Sequence, residues 1–442
     1  MIFSSKKAVS LLLIFSLHAS VVYAQNAQTI RLSNRTEASQ SKNDVTENPK
    51  GKVTLTKALH LALKQNPQLN AFSLEVRARE AATLQASLWP NPEFEFEAEN
   101  FAGSGALRAF KASETTLLLG QLIELGGKRT KRTQLAKLNA KLAFRDFEWQ
   151  KLQIFANVVT AFYEVLTAQK KMALYNEILN LAQSFKQHIS KRVQAGRLSP
   201  AELSRATVEV AQAKMNVLQN EKFLQIAKQK LASLWGVETA LFSQAIGKLD
   251  PVAPLPEWEV LQKSLHKNPR LLRFETARKK QEVARTLAQA GRIPDAIIRV
   301  GWRRFNDSGD RAFVAGISLP LPVFNRNQGV EKEAQIRSVQ IQLQKKAYRV
   351  ALQNALFSDY RQLQSVFALL QALKYEIIPQ AKRAFEIINA GYRQGKFGFL
   401  DVLQARKTLF SSREAYLQNL LEYHRLRTQI ELLTGRIPEN LE

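Results

Sequence analysis

The chain has 442 residues, a formal net charge of +26 and no cysteine. It therefore forms no disulfide and no thiolate metal site, and its three methionines make no thioether ladder for soft metals. Lysine and arginine are not interleaved with aromatic clusters in short basic runs, so no nucleic-acid partner is expected; the basic balance fits anionic envelope polymers or lipid head groups.

The first 24 residues read as a secretory signal: Lys6 and Lys7, an apolar run from Val9 to Phe15, then Val22-Tyr23-Ala24. Residues 25–52 are rich in Ser, Asn, Thr and Gln and read as a flexible leader. Thr54 or Thr56 is placed to cap a short helix that stops at Asn66-Pro67, and a second helix is expected over 68–88, ended by Pro90. Strands are expected at about 93–101 and 115–125. Gly126-Gly127 then opens a stretch, 128–195, with no Gly and no Pro. A helix over 129–194 is roughly 100 Å long at 1.5 Å per residue, far beyond the three turns of an ordinary globular helix. A turn at 195–200 leads to a return helix over 201–235. The linker 237–257 is stiffened by Pro251, Pro254 and Pro256.

The order then repeats. His266-Lys267-Asn268-Pro269 echoes the first Asn-Pro site, strands are expected at about 296–305 and 312–321, and a second long helix starts near Gln328. Pro379 removes one helical hydrogen bond and predicts a kink. The turn at 395–398 precedes a return helix over 399–434, and 436–442 is a tail. With Gly196 set on Gly395, Glu202 falls on Asp401, Ala206 on Ala405 and Gly236 on Gly435. The chain is thus two repeats, 53–236 and 258–435, each helix–strand–strand–long helical hairpin (128–235 and 328–434).

The strands carry a membrane argument. No segment after the signal has 18 uninterrupted apolar residues, but an exported chain can cross a membrane as a β-barrel. Phe94, Phe96 and Ala98 alternate with Glu95, Glu97 and Glu99; Ile298, Val300 and Trp302 alternate with Arg299, Gly301 and Arg303. Apolar groups on one face and charge on the other fit lipid and lumen, with Glu95, Glu97, Glu99, Arg299 and Arg303 lining the lumen. A small soluble sheet is the alternative. Four strands cannot close around water, so the barrel must be shared between protomers.

At these residues the chain resembles the outer-membrane efflux channel family, the TolC type, over residues 53–435. The residues that carry the likeness are the two hairpin turns, the two Asn-Pro sites and the run Leu122-Ile123-Glu124-Leu125-Gly126-Gly127-Lys128-Arg129. That run, together with Leu88-Trp89-Pro90-Asn91-Pro92 and the stretch from Pro320 to Gly329, is most similar to the heavy-metal branch, the outer-membrane partners of cobalt–zinc–cadmium and copper–silver exporters. The resemblance implies a mainly α protein with a small β part, a homotrimer with a 12-stranded outer-membrane barrel and a periplasmic α-helical tunnel. It implies docking of a periplasmic adaptor (membrane fusion protein) and an inner-membrane RND pump at the tips, Gly196, Arg197, Leu198, Ser199, Gly395, Lys396, Phe397 and Gly398. It implies a periplasmic gate at Tyr392, Asp401 and Glu202, with the Tyr392 phenol donating to the Glu202 carboxylate. A basic gate residue of the family falls on Phe397 here, and a second acidic position on Gln404.

Blander readings exist for each residue. Glu202 and Asp401 stand in first helical turns, where the helix dipole favours carboxylates; Tyr392 fits packing, and Gly196 and Gly395 fit C-caps. The five histidines are scattered without metal-ligand spacing, and there is no phosphate loop or nucleophile motif. No enzyme activity, catalytic residue, metal site or cofactor is expected. The function read from the sequence is a passive duct of a tripartite efflux system, exporting heavy-metal cations. The alternatives are a TolC-like channel for drugs or type I protein secretion, and a periplasmic adaptor or structural coiled-coil protein.

Overall fold

In a computed structural model the described residues are 47–250 and 252–435. The expected signal, nearly all of the leader, Pro251 and the tail 436–442 lie outside them. All elements below belong to one unit, Pro49–Glu442. In chain order they are β1 (Lys52–Thr54), α1 (Leu55–Gln65), α2 (Pro67–Ser87), β2 (Glu93–Glu99), β3 (Glu114–Ile123), α3 (Lys128–Gln194) and α4 (Pro200–Ser233). Then follow β4 (Gln244–Ile246), α5 (Trp258–Ser264), α6 (Pro269–Ala290), β5 (Ala296–Phe305), β6 (Arg311–Ser318), α7 (Gln328–Ala372), α8 (Ile378–Arg393) and α9 (Phe399–Thr434).

The expected long helix is present: α3 has 67 residues. Its entry needs glycine. Gly126 has φ +68°, and a Cβ there would lie 3.2 Å from the Ala290 carbonyl oxygen. The N-cap itself is left-handed in both repeats, Gly127 at φ 68° in the first and Asn327 at φ 55° in the second, since asparagine tolerates that region better than most residues.

The four long strands form an antiparallel sheet in the order β2-β3-β5-β6. The helices joined to them pack in the same order: α2 on α3, α3 on α6, α6 on α7. Further from the sheet α4 takes the place of α2 beside α3, and α9 takes the place of α6 beside α7 and α8. The two Asn-Pro sites splice these helices end to end. Asn66 accepts from the Leu69 amide (2.9 Å) as N-cap of α2 and donates to the Leu234 carbonyl (2.8 Å) at the end of α4. Asn268 accepts from Arg270 N (2.9 Å) and donates to the Leu433 carbonyl (2.9 Å) at the end of α9. One amide side chain thus satisfies an orphan donor of one helix and an orphan acceptor of the next. Gly236 (φ +81°) and Gly435 (φ +69°) bring the chain against these sites; a Cβ on Gly435 would lie 2.9 Å from the Lys267 carbonyl oxygen.

Pro379 does not break the second long helix. A π-helical turn, Leu373–Ile377, separates α7 from α8 and absorbs the missing donor, so the path stays helical throughout. The sheet register sorts the side chains as the alternation predicts. Phe96, Leu117, Trp302 and Phe313 stand in one row, and Phe94, Leu119, Val300 and Ala315 in another. Glu97, Thr116, Arg303 and Ala312 form a row of the opposite face.

Residues 52–54 and 244–246, placed by the sequence reading in or beside the leader and in the linker, pair as a small parallel sheet, β1 with β4. The linker is bound to the helices. Gln169 exchanges two hydrogen bonds of 2.9 Å with Ala245, Tyr423 Oη donates to the Ala253 carbonyl (2.9 Å), and Tyr360 Oη to the Pro256 carbonyl (3.0 Å). Beneath this strap lies the main core, with Phe162, Leu231, Trp235, Leu356, Leu363 and Leu426 all buried.

Candidate channel gate and lumen

Both hairpin tips close in one way. Arg197 N donates to Arg192 O (2.8 Å) and Gly196 N to Val193 O (3.0 Å); Lys396 N donates to Gly391 O (2.9 Å) and Gly395 N to Tyr392 O (3.1 Å). This is the paired bonding of a left-handed C-cap, with Gly196 at φ +69° and Gly395 at φ +77°. Among the described residues nothing stands within 4 Å of a Cβ on either glycine, so both tips present open backbone. The return helices then start from caps. Ser199 Oγ accepts from Ala201 N (3.3 Å), and Asp401 Oδ2 accepts from Gly398 N (2.8 Å).

The two hairpins meet at the tip through an apolar cluster. Ile189 from α3, Ala206 from α4, Tyr392 from α8, and Phe399 and Val402 from α9 are buried together. The Phe185 ring lies 5.5 Å from that of Phe399 at 15°, and 5.4 Å from that of Tyr392. Phe397, in place of the family's basic residue, packs on Gly391, where a Cβ would come within 2.4 Å of its ring. An ion pair joins the hairpins further along, buried Arg406 of α9 with half-exposed Glu209 of α4; burial pushes the Arg406 guanidinium down.

Tyr392 and Glu202 come together, but the expected hydrogen bond does not form. Tyr392 Oη and Glu202 Oε2 are both buried, and among the described residues neither has a hydrogen-bond partner of good geometry. The Arg192 guanidinium sits 5.4 Å from the Tyr392 ring centre. Burial pushes the phenol up, Arg192 opposes this and the Glu202 charge adds to it. Asp401 stays exposed at its cap. Sequence reasoning missed Phe185, Ile189 and Arg192. The spacing of Phe185, Ile189 and Val193, one helical turn apart on α3, was the available signal.

At the other end of the molecule Glu95, Glu97, Glu99, Arg299 and Arg303 share one face of the sheet. The opposed charges are paired: Arg299 with Glu95 (3.4 Å), and Arg303 with Glu99 (3.2 Å) and Glu114 (2.9 Å). Arg303 also donates to Thr116 Oγ1 (2.8 Å). With Glu93, this face carries five carboxylates against two arginines.

Two repeats that each send an amphipathic strand pair one way and a long helical hairpin the other define an outer-membrane channel with a periplasmic extension. The outer membrane efflux protein family matches residues 58–237 and 260–436, and the chain belongs to that family. The cobalt-zinc-cadmium resistance protein CzcC of Cupriavidus metallidurans is 32% identical over 386 residues, covering 87% of this chain and 91% of that protein. The nickel-cobalt-cadmium resistance protein NccC of Alcaligenes xylosoxydans xylosoxydans is 24% identical over 299 residues, covering 65% and 64%. A crystal structure of CusC, solved in a study of conformational changes accompanying folding and transmembrane channel formation, superposes with a TM-score of 0.74 at 18% identity. That match covers 87% of this chain and 92% of the other. The fold is the TolC-like one, and the protein is an efflux channel component of the outer membrane.

Proposed function

We propose that three copies of this chain close into one passive duct that exports heavy-metal cations, fed by a periplasmic adaptor and an inner-membrane RND pump. The observation that carries trimer closure is that both flanks of the protomer are open. Strands β2 and β6 are unpaired edges of the sheet. Below them α4 leaves Val208, Met215, Leu218 and Ile226 exposed, and α7 leaves Ile336, Val339, Leu343 and Val350 exposed. An edge strand and an apolar helix stripe on each flank are complementary to the other flank of a second copy. Such a head-to-tail contact closes into a ring, and three sheets of four strands give the twelve-stranded barrel. Crosslinking in detergent is expected to trap a three-chain species; a stable monomer inserted in bilayers would refute closure.

Metal cations as cargo rest on the resistance proteins named above and on the acidic sheet face. In a strain lacking the outer-membrane component of a cobalt–zinc–cadmium exporter, this chain is expected to restore resistance to those ions. Restored resistance to drugs alone would favour the multidrug reading.

The gate is assigned to Tyr392, Glu202 and Asp401. Two buried polar atoms between the hairpins that make no hydrogen bond in this tip suit a site whose bonding is completed when the tip rearranges. Three Asp401 carboxylates around the axis repel one another unless Lys396, Arg393 or a cation compensates. The open turns Gly196–Ser199 and Gly395–Gly398 are the adaptor-docking tips.

A further inference from the structure

Two arginines at the far end of the sheet are used by neither the lumen nor the gate. Arg304 of β5 and Arg311 of β6 are directly opposite each other in the strand register. Their row also holds Thr115 and Ala98, on the apolar face, one row beyond Trp302 and Phe313. Both are exposed. This end of the sheet carries the hairpin loops 100–113 and 306–310, opposite the end that joins the helices, so it faces the exterior.

Like charges directly opposite across two strands are destabilising, and the neighbouring acids do not relieve these two. Glu99 and Glu114 lie on the other face and hold Arg303. Asp307, in the turn, accepts from the Ser308 amide (2.8 Å), and Asp310 pairs with neither arginine. Among the described residues Arg304 and Arg311 form no ion pair, whereas Arg299 and Arg303, further inward on the opposite face, both do. An arginine on the lipid face of a barrel costs about 2–4 kcal/mol at mid-membrane and about 0–1 near the boundary. A cationic row beyond an aromatic row therefore marks the outer water–lipid boundary.

Resting on the barrel reading above, we propose that Arg304 and Arg311 together bind a phosphate group of an outer-leaflet lipid headgroup. Two guanidinium forks across one strand pair present parallel N–H donors to phosphate oxygens, and one dianion between them removes their repulsion. Trp302 and Phe313 pack on the acyl chains just below. Arg108 and Lys111 in the longer loop add only general positive field.

The test titrates the full-length protein in non-ionic detergent with diphosphorylated lipid A and counts bound lipid by native mass spectrometry. Arg304→Gln with Arg311→Gln is expected to weaken retention about tenfold, equivalent to about 1.4 kcal/mol. Arg108→Gln with Lys111→Gln should leave it nearly unchanged, and dephosphorylated lipid A should bind no variant better than another. Arg311→Lys, which keeps the charge and loses the fork, should fall between and serves if the double variant fails to assemble. Equal retention in all variants, or loss only in the loop variant, overturns the site; full displacement by inorganic phosphate overturns the lipid assignment. The same preparations are inserted in planar bilayers. Channels with unaltered lipid retention sink this inference alone, and absence of channels in the unmodified protein sinks the barrel reading with it.

Discussion

Tyr392 and Glu202 each bury a polar atom that makes no hydrogen bond of good geometry, an arrangement that costs up to about 1–3 kcal/mol apiece and that Arg192 relieves in part at the phenol. If they serve the closed tip, removing the Tyr392 hydroxyl and the Glu202 charge should leave the isolated protomer no less stable while loosening the assembled gate. Tyr392→Phe with Glu202→Gln is therefore expected to raise single-channel conductance in planar bilayers without lowering the thermal midpoint. Unchanged conductance would leave the pair as packing. His424 makes a different residue-scale prediction. Its ring stacks 3.8 Å from that of Tyr163, and Nε2 donates to the Leu249 carbonyl (2.9 Å) under the linker strap. Burial pushes it down to about 4, against the opposing hydrogen bond to Leu249. The folded state then binds fewer protons than the unfolded chain between pH 4 and about 6.5. Stability from this group is complete above about pH 6.5, declines by about 3 kcal/mol as pH falls toward 4, and is level below. His424→Gln, which keeps a donor for Leu249, should flatten that slope in thermal melts run across the window. A slope identical to that of the unmodified protein would place the titration elsewhere.

At the scale of elements, the Asn-Pro splices and the glycine tips carry the architecture. Asn268→Ala strips the cap from α6 and the donor from the Leu433 carbonyl, an expected loss of about 1–3 kcal/mol. Asn268→Asp keeps the cap but not the donor and should lie nearer the unmodified protein; melting in detergent separates the three. At the tip, Gly395→Val meets no neighbour, so its cost is backbone strain alone, of order 1 kcal/mol or more. Export is expected to fail while trimers persist, and normal metal resistance in that variant would argue against docking there. These elements differ in how far the sequence revealed them. The long helices were legible because nothing in 128–195 can stop a helix, and the tips because two glycines recur at one spacing. The Asn-Pro sites were legible as markers, but not as splices, since the second helix of each joint is about 165 residues away in the chain. Strands β1 and β4 are three residues each, too short for alternation to register. The π turn is written nowhere except in Pro379. The Tyr392–Glu202 neighbourhood was inferred from family likeness; its unpaired geometry depends on side-chain packing between two hairpins that no local pattern encodes.

For the whole molecule, the net charge of +26 and the charge of the sheet face proposed above as lumen have opposite sign. Glu93, Glu95, Glu97, Glu99 and Glu114 share the sheet face with only Arg299 and Arg303. The positive excess lies off this face. Closed as a trimer, that face becomes an acidic belt behind low-dielectric walls, where a field is focused and cations are concentrated. Glu97 is the informative position. It forms no ion pair among the described residues, whereas Glu95 and Glu99 hold arginines. Glu97→Gln therefore removes negative charge without freeing a guanidinium and should lower the cation-to-anion permeability ratio modestly. Glu95→Gln with Glu99→Gln frees Arg299 wholly and Arg303 partly, so it should lower the ratio more and can invert it. Reversal potentials across a salt gradient in planar bilayers read both effects. If neither variant shifts the reversal potential, the belt does not set selectivity, and the gate proposed at Asp401 becomes the place to look.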